Sequence, residues 1–122
     1  MNTLELFRSE SEYKEYKAGD LIFEEGEAGE NMYIVKEGAV DIKVGEEIFV
    51  VAGAGEILGE MALIDSSARS ATAVAKTACK LIPVNEKRFA FLVQQTPFFA
   101  IHVMKVLVER LRKMNKIMAA SG

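Results

Sequence analysis

Between Tyr16 and Val84 the apolar residues come in short runs rich in valine, isoleucine and phenylalanine, and glycines at 19, 26, 29, 38, 45, 53, 55 and 59 keep interrupting them. The stretches "AVDIKV" and "EIFVV" read as apolar-in, polar-out alternation, the period of strands laid over a core. "EG", "GEE" and "GAG" punctuate them as turns. This pattern predicts strands at Leu21–Glu24, Met32–Lys36, Ala39–Val44, Glu47–Ala52, Ser70–Ala75 and Lys80–Val84. Many short strands joined by tight turns make a small antiparallel β-roll, jelly-roll-like, which leaves few sheet edges exposed.

After Pro83 the period changes from two to that of a helix. Asn85 can cap a helix whose apolar positions Phe89, Leu92 and Val93 follow the i, i+3, i+4 pattern. Thr96 and Pro97 then supply an N-cap and a first-turn proline for a last helix of about twenty residues without an internal breaker. The roll is expected over about 16–84 and the helices over about 85–118, within one domain spanning 1–122.

Two apolar stripes run along the last helix. Ala100, Met104, Leu107, Leu111, Met114 and Met118 recur in steps of four and three, the a/d seam of a coiled coil. Ile101, Val103, Val106 and Val108 flank its first half, which is therefore expected to lie against the roll. A core-facing helix normally shows a wider stripe than a strict seam, so a homodimer through Met104, Leu107, Leu111, Met114 and Met118 is expected over packing on the same domain. Arg110, Arg112, Lys113 and Lys116 read as a solvated face placed favourably for the helix dipole.

Composition narrows the function classes. Of 122 residues 50% are hydrophobic and 27% charged, the balance of an ordinary globular protein. A net charge of −3 disfavours nonspecific nucleic-acid binding. No run approaches the ~18 apolar residues of a membrane helix, and "MNTLELFRSESEY" lacks the features of a signal peptide, so a cytoplasmic location is expected. The single cysteine, Cys79, sits in the apolar run "CKLIPV" and reads as a buried small residue rather than a reactive thiol. The single histidine, His102, lies in the long helix, so neither a metal site nor a Ser–His or Cys–His pair is expected, and no catalytic residue is assigned.

The chemistry concentrates in "GEILGEMALIDSSARSATAVA", residues 55–75. "EMALI" suits a short helix after Gly59, bounded by the "DSS" bend, with outward-facing amides at Glu60, Met61 and Ala62 that favour an anion. Arg69 follows among small residues, and its planar fork of donors suits one phosphate held in a cavity. Ser70 adds a hydroxyl donor, whereas Glu60, an acceptor, suits a ligand hydroxyl. The plainer alternative is that Glu60 and Arg69 pair across a loop.

Taken whole, Gly59-Glu60-Met61-Ala62-Leu63, a short bend and Arg69-Ser70-Ala71-Thr72 closely resemble the phosphate-binding cassette of the cyclic nucleotide-binding domains. That family includes the catabolite activator protein, protein kinase A regulatory subunits and cyclic nucleotide-gated channels. The resemblance extends from "KAGDLIFEEGEAGENMYIVKEGAVDI" to the long helix and implies a mostly β fold with a short cassette helix and two C-terminal helices. It implies a regulatory sensor for cAMP, with cGMP as the alternative ligand and no further cofactor. By resemblance, Gly59 and the amides of Met61 and Ala62 hold the cyclic phosphate, Arg69 and Ser70 neutralise and bond it, and Thr72 completes the motif. Glu60 takes the ribose 2′-hydroxyl, while Ile42, Ile57 and Leu58 line the sugar and base side. Met114 and Asn115 occupy the positions from which the catabolite activator's long helix reaches the adenine, and Ala68 replaces a frequent proline. Ligand binding would then move the long helix and the dimer geometry.

Two rival readings are a ligand-free dimerisation module and a cupin-type metal enzyme. No recognition helix follows "KIMAASG" in these residues, so no DNA contact is expected from this chain. A free-standing sensor and a part of a larger regulator, channel or kinase subunit stay equally open.

Overall fold

A computed structural model describes residues 7, 11–65 and 67–121. Within them the elements run β1 (Lys14–Tyr16), β2 (Leu21–Phe23), β3 (Asn31–Glu37), β4 (Val40–Val44), β5 (Glu47–Ala52), β6 (Ile57–Leu58), α1 (Glu60–Asp65), β7 (Thr72–Ala75), β8 (Cys79–Asn85), α2 (Glu86–Gln95) and α3 (Pro97–Ser121). The strands form two four-stranded sheets, ordered β1-β8-β3-β6 and β2-β7-β4-β5. Every strand pair is antiparallel, as the alternation predicts.

The sheet built on β3 and β8 is covered on both faces, and strict alternation sorts its side chains. Tyr33, Val35 and Leu81 join Phe23, Val40, Ile42, Leu58 and Ala73 between the two sheets. Their neighbours Met32, Ile34, Ile82 and Val84 point the other way and pack with Ile57, Leu92, Phe99, Val103 and Val106 under the helices. That double coverage explains why "MYIV" and "LIPV" are nearly continuous apolar runs.

The predicted strands all appear, with ends displaced by a residue or two, while β1 and β6 were not predicted. β1 has three mostly polar residues and β6 only two, too short to show a period. Asn85 caps α2 as expected, its side chain accepting from the Arg88 amide at 2.8 Å. Thr96 works through its backbone: its N–H reaches Leu92 at 2.8 Å and its carbonyl accepts from Phe99 at 2.9 Å. The "DSS" bend includes Ser66, which lies outside the described residues.

α3 runs 25 residues and meets α2 at 115°. No single helix among the described residues is long and apolar enough to cross a membrane. The expected second stripe on α3 splits: Val103 and Val106 are buried, but Ile101 is 50% and Val108 45% exposed. Phe99, which belonged to neither stripe, is fully buried and leads the actual core face Phe99, Val103, Val106. At ~100° per residue, Ile101 and Val108 stand well off the line these three define. On the seam, Met104, Leu111 and Met118 are exposed, and Leu107 and Met114 half-buried.

Cys79 is buried, and burial pushes its thiol pKa up, consistent with a packing role. His102 is half-buried on α3, its Nε2 buried without a partner. Burial pulls its pKa down, against the opposing pull of Glu56 and Glu109, while Lys105 lowers it further. The folded imidazole therefore resists a proton that the unfolded chain accepts near pH ~6.5, so stability falls as the pH drops through that value toward the folded pKa. Urea unfolding followed between pH 7.5 and 5 is expected to show this decline, and His102→Gln to flatten the part of it that His102 causes.

Candidate functional site

β6 ends at Leu58, and Gly59 turns the chain into α1 with φ +77, a conformation in which L side chains are strained. A Cβ there would also lie 2.6 Å from Nη1 of Arg69 and 3.4 Å from the Asn31 carbonyl oxygen. Glycine is thus required twice, for its backbone and for the arginine beside it. The first-turn amides of α1 have no partner within the helix.

Arg69 is fastened to the β2–β3 loop by its own backbone, donating to the Glu27 carbonyl at 2.8 Å and accepting from the Gly26 amide at 2.9 Å. Its side chain is 6% exposed. Nη1 donates to the Gly59 carbonyl at 3.1 Å and Nη2 to that of Asn31 at 2.7 Å. The guanidinium lies 4.2 Å above the Phe23 ring, and Nε is buried without a partner. Burial lowers its pKa, with Tyr33, Glu27 and Glu60 pulling the other way. Arg69 makes no ion pair among the described residues. A cation has been taken out of water and given only neutral hydrogen-bond partners.

Glu60 is 3% exposed and does pair, but with another arginine. Its Oε1 accepts from Nη1 of Arg110 at 2.7 Å, and Nη2 of Arg110 donates to the Ile57 carbonyl at 2.6 Å. The cross-loop pair with Arg69 does not form, and Glu60 Oε2 stays buried without a partner. Arg110, expected on a solvated face, instead bolts α3 to the junction of β6 and α1. It continues the core-facing line Phe99, Val103, Val106 by one more step of four, and that spacing was the available signal.

These groups surround a cavity of about 450 Å³, within the range of small-molecule sites. Its walls are mostly apolar. Leu58, Gly59, Glu60, Met61, Ala62, Arg69, Ser70 and Ile42 line it as anticipated, and α3 contributes Met114 together with Leu107, Arg110 and Leu111. Ala71 of the cassette motif also lines it, and Phe23, Val44 and Phe49, which were not singled out from the sequence, complete the lining. The Ser70 hydroxyl lies 3.5 Å from the sulfur of Met61.

Three anticipated residues stand elsewhere. Ile57 belongs to the core beneath the helices, because adjacent residues of a strand face opposite ways and Leu58 takes the cavity side. Thr72 accepts from the Glu25 amide at 3.0 Å through its hydroxyl and so braces the β2–β3 loop. Asn115 is exposed, carried off the cavity by the helical turn that brings its neighbour Met114 onto it.

Residues 13–96 match the family model of the cyclic nucleotide-binding domain. The chain is 33% identical over 103 residues to the cyclic AMP receptor protein of Thermus thermophilus, covering 80% of this chain and 48% of that protein. It resembles the crystal structure of the Thermus thermophilus catabolite activator protein with a TM-score of 0.79 at 28% identity, over 97% of this chain and 58% of the other. The EAL enzyme Bd1971 in its cGMP-bound form gives a TM-score of 0.64 at 36% identity, over 86% of this chain and 29% of that one. Its cAMP-bound form gives 0.63 at 36%, over 90% and 30%. The chain spans about half the length of the curated relatives it matches.

Removing Arg110 strands a buried carboxylate. Arg110→Ala is therefore expected to lower stability in urea by about 3–5 kcal/mol, and the double change Glu60→Gln with Arg110→Met to recover most of it. Equal losses in the single and double variants would show that the ion pair is not what holds α3.

Proposed function

The chain belongs to the cyclic nucleotide-binding domain family, and on that premise we propose that it binds cAMP in the cavity between its second sheet and α3, as a regulatory sensor and not as an enzyme. The observation that carries this reading is the buried guanidinium of Arg69, without a counter-anion, beside a buried and unpartnered Glu60 oxygen. One ligand that brings a single negative phosphate and a hydroxyl a short way off answers both.

In this reading the N–H groups of Arg69 not spent on the Gly59 and Asn31 carbonyls meet the exocyclic phosphate oxygens, with the Ser70 hydroxyl and the amides of Met61 and Ala62 completing the shell. Gly59 keeps the approach clear. Glu60 Oε2 accepts from the ribose 2′-hydroxyl while Oε1 stays on Arg110, and Ile42 and Leu58 pack against the sugar. Leu107, Leu111 and Met114 cover the base. Because those three are apolar and Asn115 stands outside, discrimination between cAMP and cGMP is expected to be small. The Thermus relative is described as a receptor for cyclic AMP, and Bd1971 has been solved with either nucleotide.

Coupling follows from the cavity's construction, since four of its lining residues sit on α3. A ligand that packs on them better in one helix position draws the helix there, and only that difference in affinity does work. Met104, Leu111 and Met118, exposed along the seam, are proposed to carry the signal into a homodimer, with Leu107, Leu111 and Met114 shared between seam and cavity. A cytoplasmic location is proposed along with this messenger.

Isothermal titration with cAMP and cGMP is expected to show one site, and no heat at millimolar nucleotide would refute the assignment. Arg69→Ala should weaken binding at least tenfold through the loss of charge-assisted hydrogen bonds worth about 1.5–3 kcal/mol each. For the dimer, Met104→Glu changes a seam residue outside the cavity and is expected to shift sedimentation from dimer to monomer. A monomer before and after would mean that the seam serves this chain alone.

A further inference from the structure

We propose that Phe23 is the positioning residue of the site: its ring sets the plane of the Arg69 guanidinium, and so the direction in which that charge is offered to an anion. The inference rests on the cyclic-nucleotide reading for its ligand, and on geometry alone for its mechanism.

A guanidinium is a flat fork, and holding it requires fixing both its rotation within the plane and the plane itself. The carbonyls of Gly59, at 3.1 Å, and Asn31, at 2.7 Å, hold two donors along its edge and settle the first. Cζ of Arg69 lies over the Phe23 ring, 4.2 Å from its centroid and 6.0 Å from that of Tyr33, and the nearer ring settles the second. The ring is itself confined. It stacks on Tyr33 with centroids 6.3 Å apart and planes 21° apart, it is 8% exposed, and its Cε2 stands 3.4 Å from where a Cβ on Gly59 would be. A Cβ on Gly29 would lie 2.5 Å from Cζ of Arg69, so the space around the fork admits little else. A register shift in the β2–β7 pairing falls between Leu21 and Phe23; Leu21 is 53% exposed while Phe23 turns inward.

The choice of partner matters. A carboxylate would hold the fork as firmly, but its charge would cancel the one the ligand needs. An aromatic face and two carbonyls orient the guanidinium and offset part of its desolvation while leaving its formal charge uncancelled.

The test compares wild type with Phe23→Leu, which removes the ring, and Phe23→Tyr, which keeps it. In ligand-free protein, ¹⁵N-edited spectra are expected to show a ring-current-shifted Arg69 Nε–H, assigned by its absence in Arg69→Lys. It should persist in Phe23→Tyr and move and broaden in Phe23→Leu, with thermal melts confirming that both variants fold. An unmoved Nε–H in Phe23→Leu, or equal loss in both variants, would overturn the positioning role whatever the ligand. Titration with cAMP and the two diastereomers of its phosphorothioate, each replacing one exocyclic oxygen, reads the consequence. Phe23→Leu is expected to weaken cAMP about tenfold and to erase the preference between diastereomers, which Phe23→Tyr retains. Retention of that preference in Phe23→Leu would also overturn the role. Failure of the wild type to bind any of the three refutes the cyclic-nucleotide reading and leaves the positioning role to the spectra.

Discussion

The structure around the cavity is organised by one desolvated cation. Among the described residues Arg69 is a buried cation answered by the carbonyls of Gly59 and Asn31 and by the rings of Phe23, at 4.2 Å, and Tyr33, at 6.0 Å. Each of these constrains a different part of the chain. The carbonyl of Gly59 is available because the backbone there takes a positive φ, and Asn31 opens β3, one of the two inner strands of its sheet. The loop from 24 to 29 bends back far enough to bond the Arg69 backbone at both its N–H and its carbonyl. Placing one charge without a counter-charge thus takes a left-handed glycine, a strand end and a closed loop.

The second arginine of the site works the opposite way. Arg110 is neutralised by Glu60 and tied to the Ile57 carbonyl, so its contribution is attachment and not attraction. Because Glu60 uses Oε1 for that bond and keeps Oε2 unpartnered, a ligand hydroxyl can be accepted without breaking the tie. Occupying the site therefore adds a bond at Glu60 where a competing contact would have to exchange one. Had Glu60 paired with Arg69 instead, the cavity would have neither an uncancelled cation nor an anchor for α3.

Much of this was legible in the residues. Alternation in "AVDIKV" and the spacing of glycines revealed the strands, and Gly59-Glu60 followed by Arg69 among small neighbours marked residues that gather around the cavity. What escaped notice depended on which way single residues face. Ile57 and Leu58 are equally apolar, and only the pairing of β6 with β3, Tyr33 opposite Leu58 and Ile34 opposite Ile57, decides that Leu58 sees the cavity. Met114 and Asn115 are one helical step apart, enough to turn an apolar residue in and the polar one out. Arg110 looked like one of four basic residues on a helix end, and its burial follows from α3 starting its core face at Phe99, a residue outside both apparent stripes.

The seam on α3 shows how one pattern can serve two surfaces. A strict a/d repeat ordinarily implies that all its members face a partner helix. Here Leu107 and Met114 are half-buried and line the cavity, while Met104 and Met118 are exposed and Leu111 does both, lining the cavity at 62% exposure. Any repositioning of the helix that seats Leu107, Leu111 and Met114 more closely on a ligand must rotate or slide the exposed members in the same motion, because a continuous helix of 25 residues moves as one body. In the function we propose, covering the base and setting the angle of the outward face are then a single degree of freedom. In that same proposal, a pocket contact made of apolar side chains drives it, without any polar relay between the phosphate and the far end of α3.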